Sequence, residues 1–195
     1  MNYSDTRQCC VLVRKSRAVT SIEYFDTPES LLPTELAFGT LCVHDAPSSS
    51  HQSAVGSFYV ALREHVRAND LGKVWVAPLD VVLDEARALI VQPDLLYVSR
   101  SRADIARKRI HGAPDLVVEI LSPRPRVGDF DRRLEWFAAY GVQECWAYHQ
   151  TAQELEVIAF AGGQVDSRTV LELDDPIVST CLPVFSLTLR QILER

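Results

Sequence analysis

Long apolar runs are missing from this sequence of 195 residues. Runs such as those at 74–77 and 116–118 fall far short of the roughly 20 residues that a membrane-spanning helix needs, so no membrane partner is expected. The five cysteines, Cys9, Cys10, Cys42, Cys145 and Cys181, contain no Cys-x-x-Cys and their number is odd. That excludes a disulfide framework and a structural zinc site of the usual spacing, and reads as reduced thiols in a cytoplasmic protein. The N-terminus shows no secretory signal pattern. With only eight glycines there is no phosphate-cradling loop and no dinucleotide fingerprint, and a Gly-x-Ser-x-Gly nucleophile elbow is also absent. The five histidines, at 44, 51, 65, 111 and 149, never fall at His-x-x-x-His spacing, so a histidine-rich metal site is not expected. Lysine is scarce: Lys15, Lys73 and Lys108 stand against seventeen arginines.

What is present is the composition of a globular chain, 47% hydrophobic and 24% charged, of a length that suits one domain. The net charge of −6 argues against a dedicated nucleic-acid binder. The charge is uneven, however. Residues 100–133 hold nine basic and five acidic residues, a net +4 that leaves −10 on the remainder. Such a window is either a solvated loop or a surface that tracks phosphates.

Val55, Phe58, Tyr59, Leu62 and Val66 recur at three- and four-residue spacings and predict a helix over 51–67, capped by Ser50. Apolar and β-branched runs at 73–77, 79–83, 88–91, 94–98, 116–121, 145–149 and 155–160 predict strands. A second helix is expected over 129–140, closed by Gly141, and a short terminal one after Ser186. The fold class is therefore α/β (α+β), a mixed central sheet flanked by helices. Residues 1–17 are expected to be an N-terminal extension and 18–195 a single domain.

Glu119 interrupts an otherwise apolar run, where a carboxylate needs a cation or an arginine for company. Asp94 and Asp115 each follow a proline and open a strand. Asp115 and Glu119 share a strand face but lie ~13 Å apart along it, too far to hold one ion together. Asp94 is therefore the better partner for Glu119. Two acids from neighbouring strands suit a hard cation such as Mg²⁺.

The strings Val91-Gln92-Pro93-Asp94-Leu95, Gly112-Ala113-Pro114-Asp115-Leu116-Val117-Val118-Glu119-Ile120-Leu121-Ser122-Pro123 and Tyr140-Gly141-Val142-Gln143-Glu144-Cys145-Trp146 resemble the Uma-two family, placed in the PD-(D/E)xK nuclease superfamily. The Thr34–Leu41 segment, Ala46-Pro47 before His51-Gln52, and Lys73-Val74-Trp75 are similar to that family as well. The resemblance covers about residues 20–190. It implies a restriction-endonuclease-like fold and a metal-dependent endonuclease acting on DNA, and it permits a homodimer. It further implies that Asp94 and Glu119 hold Mg²⁺ or Mn²⁺, that Glu35 completes the site, and that Arg133 stands where the family carries its lysine. The family's Asp-Gly-Glu is replaced by Phe38-Gly39-Thr40. Arginine keeps the charge and offers a fork of donors to phosphate, but it cannot serve as a base. Lys108 is the alternative source of the missing ammonium, and a catalytically inactive binding module on the same fold is the alternative function. The acidic total predicts weak, metal-dependent and salt-sensitive binding to DNA.

Overall fold

The computed structural model describes residues 11–13, 17–28, 32–121 and 127–195, with backbone alone for 11–13 and 127–129. Arg124, Arg126 and the Ser122-Pro123 end of the longest motif lie outside the described residues, as do Cys9 and Cys10. The elements are β1 (Val11–Val13), α1 (Ser21–Phe25), β2 (Thr34–Ala37), β3 (Thr40–Val43), α2 (Ser49–Ala68), β4 (Gly72–Val76), β5 (Val81–Asp84), β6 (Leu89–Val91) and β7 (Leu95–Ser99). After a 3₁₀ turn over Arg100–Ile105 come β8 (Ile110–His111), β9 (Leu116–Leu121), α3 (Val127–Tyr140), β10 (Glu144–His149), β11 (Glu154–Ala161), β12 (Gln164–Leu171) and α4 (Leu189–Leu193).

The mixed α/β architecture expected from the sequence is present, built on two six-stranded sheets. The one with longer strands, the larger sheet, runs β12-β11-β10-β9-β7-β4, with β9 and β10 parallel and the other neighbours antiparallel. The smaller runs β1-β3-β2-β6-β5-β8. The strands expected at 79–83 and 88–91 therefore belong to the smaller sheet and not to the central one. Pro93 supplies the reason: residues 92–94 break the chain between β6 and β7, and β6 pairs with β2 instead. Val11–Val13, inside the expected extension, pairs with β3.

Strand β9 is buried on both faces, as its apolar run requires. Leu116, Val118 and Ile120 join Phe58, Leu62 and Val66 of α2 in one core. Val117 joins Leu134 and Phe137 of α3, together with Val81, Leu89 and Ile110 of the smaller sheet, in a second. Helix α2 thus covers one face of the larger sheet, and α3 with the smaller sheet covers the other. The side-chain direction of each β9 residue follows: even positions face α2 and odd ones, Glu119 among them, face α3.

Two helix caps differ from expectation. Ser48, not Ser50, caps α2: its backbone is extended and its hydroxyl accepts from the His51 N–H at 3.2 Å, while Ser50 is already helical. Thr188, not Ser186, caps α4 in a capping box with Gln191. Gly141 ends α3 as expected, with φ at 94° and its N–H bonded to the Phe137 carbonyl at 3.1 Å.

Candidate active site

The break at 92–94 aims Asp94 across the end of β9. Leu95 pairs with Val118, so Asp94 lies just beyond the last paired position, beside Glu119. Asp94 Oδ2 accepts from the Ile120 N–H at 2.7 Å and lies 3.3 Å from His51 Nε2. His51 stands in the first turn of α2, where the Ser48 cap fixes its backbone. Its Nδ1 is buried without a hydrogen-bond partner among the described residues.

Arg133 reaches the site from α3. Its Nε donates to Glu119 Oε1 at 2.6 Å, and its Nη1 donates to both oxygens of Glu35 at 2.9 Å. Glu35 comes from β2, so one guanidinium ties the smaller sheet to the larger. Glu35 also accepts from the Gln92 N–H at 2.5 Å and sits 3.2 Å from His44 Nε2. The four sequence-predicted residues, Glu35, Asp94, Glu119 and Arg133, are thereby brought into one cluster, with Glu35 and Glu119 buried.

The protonation pattern divides the three acids. Burial alone would raise the Glu35 carboxyl, but the Arg133 charge, His44 and the Gln92 N–H hold it at about 2. Its hydrogen bond to Glu35 raises His44 in turn. Burial raises Asp94 to about 6, against the Ile120 N–H and Arg133. Burial raises Glu119 to about 7, against Arg133 and with the help of Asp94. Burial lowers His51. Arg133 keeps its charge, because Glu119 and Glu35 outweigh its burial. The cluster is short of positive charge at the Asp94–Glu119 side and saturated at Glu35.

A divalent cation fits that side. Asp94 Oδ1 and Glu119 Oε2 accept no hydrogen bond from any described residue, and each carboxyl is held above its usual range. Mg²⁺ is often bound by only one or two carboxylates, with water and phosphate oxygens completing its shell. Glu35 does not fit as a ligand, since both its oxygens are taken. Among the described residues no group of three or more His, Cys, Asp or Glu could hold a metal ion. Arg133 Nη2 makes no hydrogen bond to any described residue, so the guanidinium retains donors for an anionic group.

Other expectations resolve differently. Asp115 is buried, and its oxygens are taken by the Ser99 N–H at 2.7 Å, Gln143 Nε2 at 2.9 Å and Arg102 Nη1 at 3.1 Å. It is a structural group. Lys108 is exposed in the turn before β8 and forms no ion pair with Glu35, Asp94 or Glu119. The basic window is largely not a free phosphate-tracking surface: Arg100 pairs with Asp70, Arg102 with Asp115, Arg109 with Asp80, and Arg133 with the two glutamates. Arg107, Lys108 and Arg132 remain exposed. Sequence reasoning missed His44, His51 and Gln92. His51 and Gln92 have partners far away in the chain, His44 meets Glu35 from the end of the β2–β3 hairpin, and no histidine spacing signals a residue that joins a site singly.

Among curated proteins, none matches this sequence. The chain resembles the crystal structure of "a putative nuclease belonging to DUF820" from Anabaena variabilis ATCC 29413, with a TM-score of 0.76 and 17% identity over 90% of this chain and 98% of that one. That likeness concerns the fold. The family Uma2, described as "Putative restriction endonuclease", matches residues 22–190. With nearly its whole length matched, this chain belongs to the Uma2 family.

Proposed function

We propose that this protein is a metal-dependent endonuclease that hydrolyses DNA phosphodiester bonds, with Asp94 and Glu119 holding Mg²⁺ or Mn²⁺. One observation carries the reading: Asp94 and Glu119, neighbours across the ends of β7 and β9, each keep one carboxylate oxygen that accepts no hydrogen bond from a described residue, in a cluster short of positive charge. The cation, when bound, supplies Lewis-acid stabilisation of phosphoryl oxygens and a water of lowered pKa. The chain's own groups supply the rest. Glu35 and Glu119 grip two edges of Arg133, and His44 steadies Glu35. The guanidinium is thus fixed with Nη2 open, placed to hold a phosphate oxygen and to stabilise charge as it develops. It cannot take a proton, so it does not replace a lysine that acts as a base. The free thiols of Cys145 and Cys181 suit the reducing cytoplasm. Cutting both strands of a duplex takes two copies of a single-site enzyme, which favours a homodimer.

A second reading, a binding module that has lost its chemistry, is favoured by one feature: Arg133 is tied to two carboxylates where the family has a lysine. Titration calorimetry with Mn²⁺ separates the two. The nuclease binds Mn²⁺, and Asp94→Asn or Glu119→Gln abolishes the heat. A wild type that takes up no Mn²⁺ leaves only the module.

A further inference from the structure

The N-terminal turns of α2 form one wall of a groove of about 250 Å³, outside the cluster of acids. Ser50, Ser53 and Ser57 line it from the helix, and Tyr148 and Gln150 from the end of β10. Ala54 and Leu193 add apolar surface. Ser57 and Tyr148 are only 8% and 5% exposed, yet neither hydroxyl bonds to any described residue. Buried hydroxyls are otherwise nearly always satisfied. The sealed, unpartnered side-chain atoms among the described residues are His51 Nδ1 and Gln92 Oε1, so the two hydroxyls are not sealed and open onto the groove.

The groove lies on the α2 face of the larger sheet and Glu119 on the α3 face; both lie toward the C-terminal ends of the parallel strands β9 and β10, where His51 of α2 reaches Asp94. Ser50 precedes His51, whose ring touches Asp94. Gln150 Nε2 donates to the Leu121 carbonyl at 3.0 Å, two residues beyond Glu119, and its own carbonyl oxygen is free to accept. Among the described residues that line the groove there is no Lys, Arg, His, Asp or Glu. Hydroxyls and an amide that both donate and accept, beside apolar surface and without a counter-charge, suit a neutral heterocycle better than an anion.

We propose that this groove is a nucleobase subsite, taking one base of a substrate strand that crosses the end of the sheet to the cation site at Asp94 and Glu119 and the open edge of Arg133. The choice of substrate strand rests on the nuclease reading; the presence of a site for a neutral heterocycle does not. The test is a metal-free titration of the ¹⁵N-labelled protein with thymidine and with deoxycytidine, followed by NMR, with deoxyribose and inorganic phosphate as separate arms. A nucleoside should shift the backbone signals of Ser53, Ser57, Tyr148 and Gln150. Ser57→Ala and Tyr148→Phe, which remove one oxygen each, should weaken that binding about three- to tenfold. Ser53→Leu, at an exposed position, should block it. Shifts elsewhere only, affinities unchanged in all three variants, or equal responses to phosphate or deoxyribose overturn the subsite. Metal-dependent cleavage without nucleoside binding overturns this inference alone. Nucleoside binding in a protein that never cleaves overturns its assignment to a substrate strand.

Discussion

Arg133 Nε donates to Glu119 Oε1 at 2.6 Å, so the arginine that the sequence resemblance sets at the family's lysine position is the direct ion-pair partner of a proposed metal ligand. The same guanidinium holds Glu35 through Nη1. Removing it strands two buried carboxylates. Arg133→Ala should therefore destabilise the protein by about 3–5 kcal/mol, the usual loss when one partner of a buried pair is deleted. Urea unfolding measures this; a loss below about 1 kcal/mol, the range of surface ion pairs, contradicts the placement.

Arg133→Lys separates charge from geometry. A single ammonium cannot grip both glutamates and still present a free edge. Its stability should fall between wild type and Arg133→Ala. If compact charge is what the phosphate needs, its cleavage rate should rise above wild type; if Arg133 Nη2 holds the phosphate, the rate should fall. Single-turnover cleavage reads the difference.

The acids give a pH signature. Asp94 and Glu119 lie above their unfolded values, at about 6 and about 7. A raised carboxyl contributes stability that is full below the unfolded pKa of about 4 and is lost as pH rises through the folded value. Glu35, at about 2, acts oppositely: its contribution is present above about pH 4 and is lost as pH falls toward its folded value. His44, raised, adds to the loss at higher pH, and His51, lowered, opposes it. Glu119→Gln mimics the protonated acid at every pH. Without divalent cations it should become more stable relative to wild type as pH rises from about 5 to about 8. Melting curves of the two proteins across that range check it; a constant difference contradicts the raised Glu119.

His51 should act through Asp94. It touches Oδ2, leaving Oδ1 for the cation. Its removal should weaken Mn²⁺ binding by about 10-fold or more, as for other residues that orient a metal ligand. His51→Gln, which restores a donor near the Nε2 position, should recover most of the affinity. Equal Mn²⁺ affinity in His51→Ala and wild type contradicts that role.

Asp115 supplies the control. It is as buried as the site acids but satisfied by three donors. Asp115→Ala should destabilise by about 2–4 kcal/mol through its stranded donors while leaving Mn²⁺ affinity of the folded protein unchanged. A parallel loss of Mn²⁺ binding would place Asp115 in the site.

Much of this was legible in the sequence because it follows from local periodicity. The α2 stripe, the doubly apolar β9 and the glycine end of α3 each announce themselves within a few residues. Glu119 was conspicuous for the same reason, as a charge in an apolar strand. The smaller sheet was not legible as a separate unit: β5, β6 and β8 are two to four residues long, and only the pairing of β6 with β2, far away in the chain, separates them from the central sheet. The positive window misled for a related reason. Composition counts Arg102 and Arg109 as free charge, whereas the fold pairs them with Asp115 and Asp80. His44 and His51 enter the site one at a time, each through a single carboxylate, and no spacing rule detects that.

The most direct test is nicking of supercoiled plasmid DNA, with Mg²⁺ or Mn²⁺ and with chelator, by wild type and by Glu119→Gln. The account predicts nicking by wild type that disappears with chelator and falls by a factor of about 100 or more in Glu119→Gln. Nicking that persists in chelator, or that Glu119→Gln leaves intact, would contradict it.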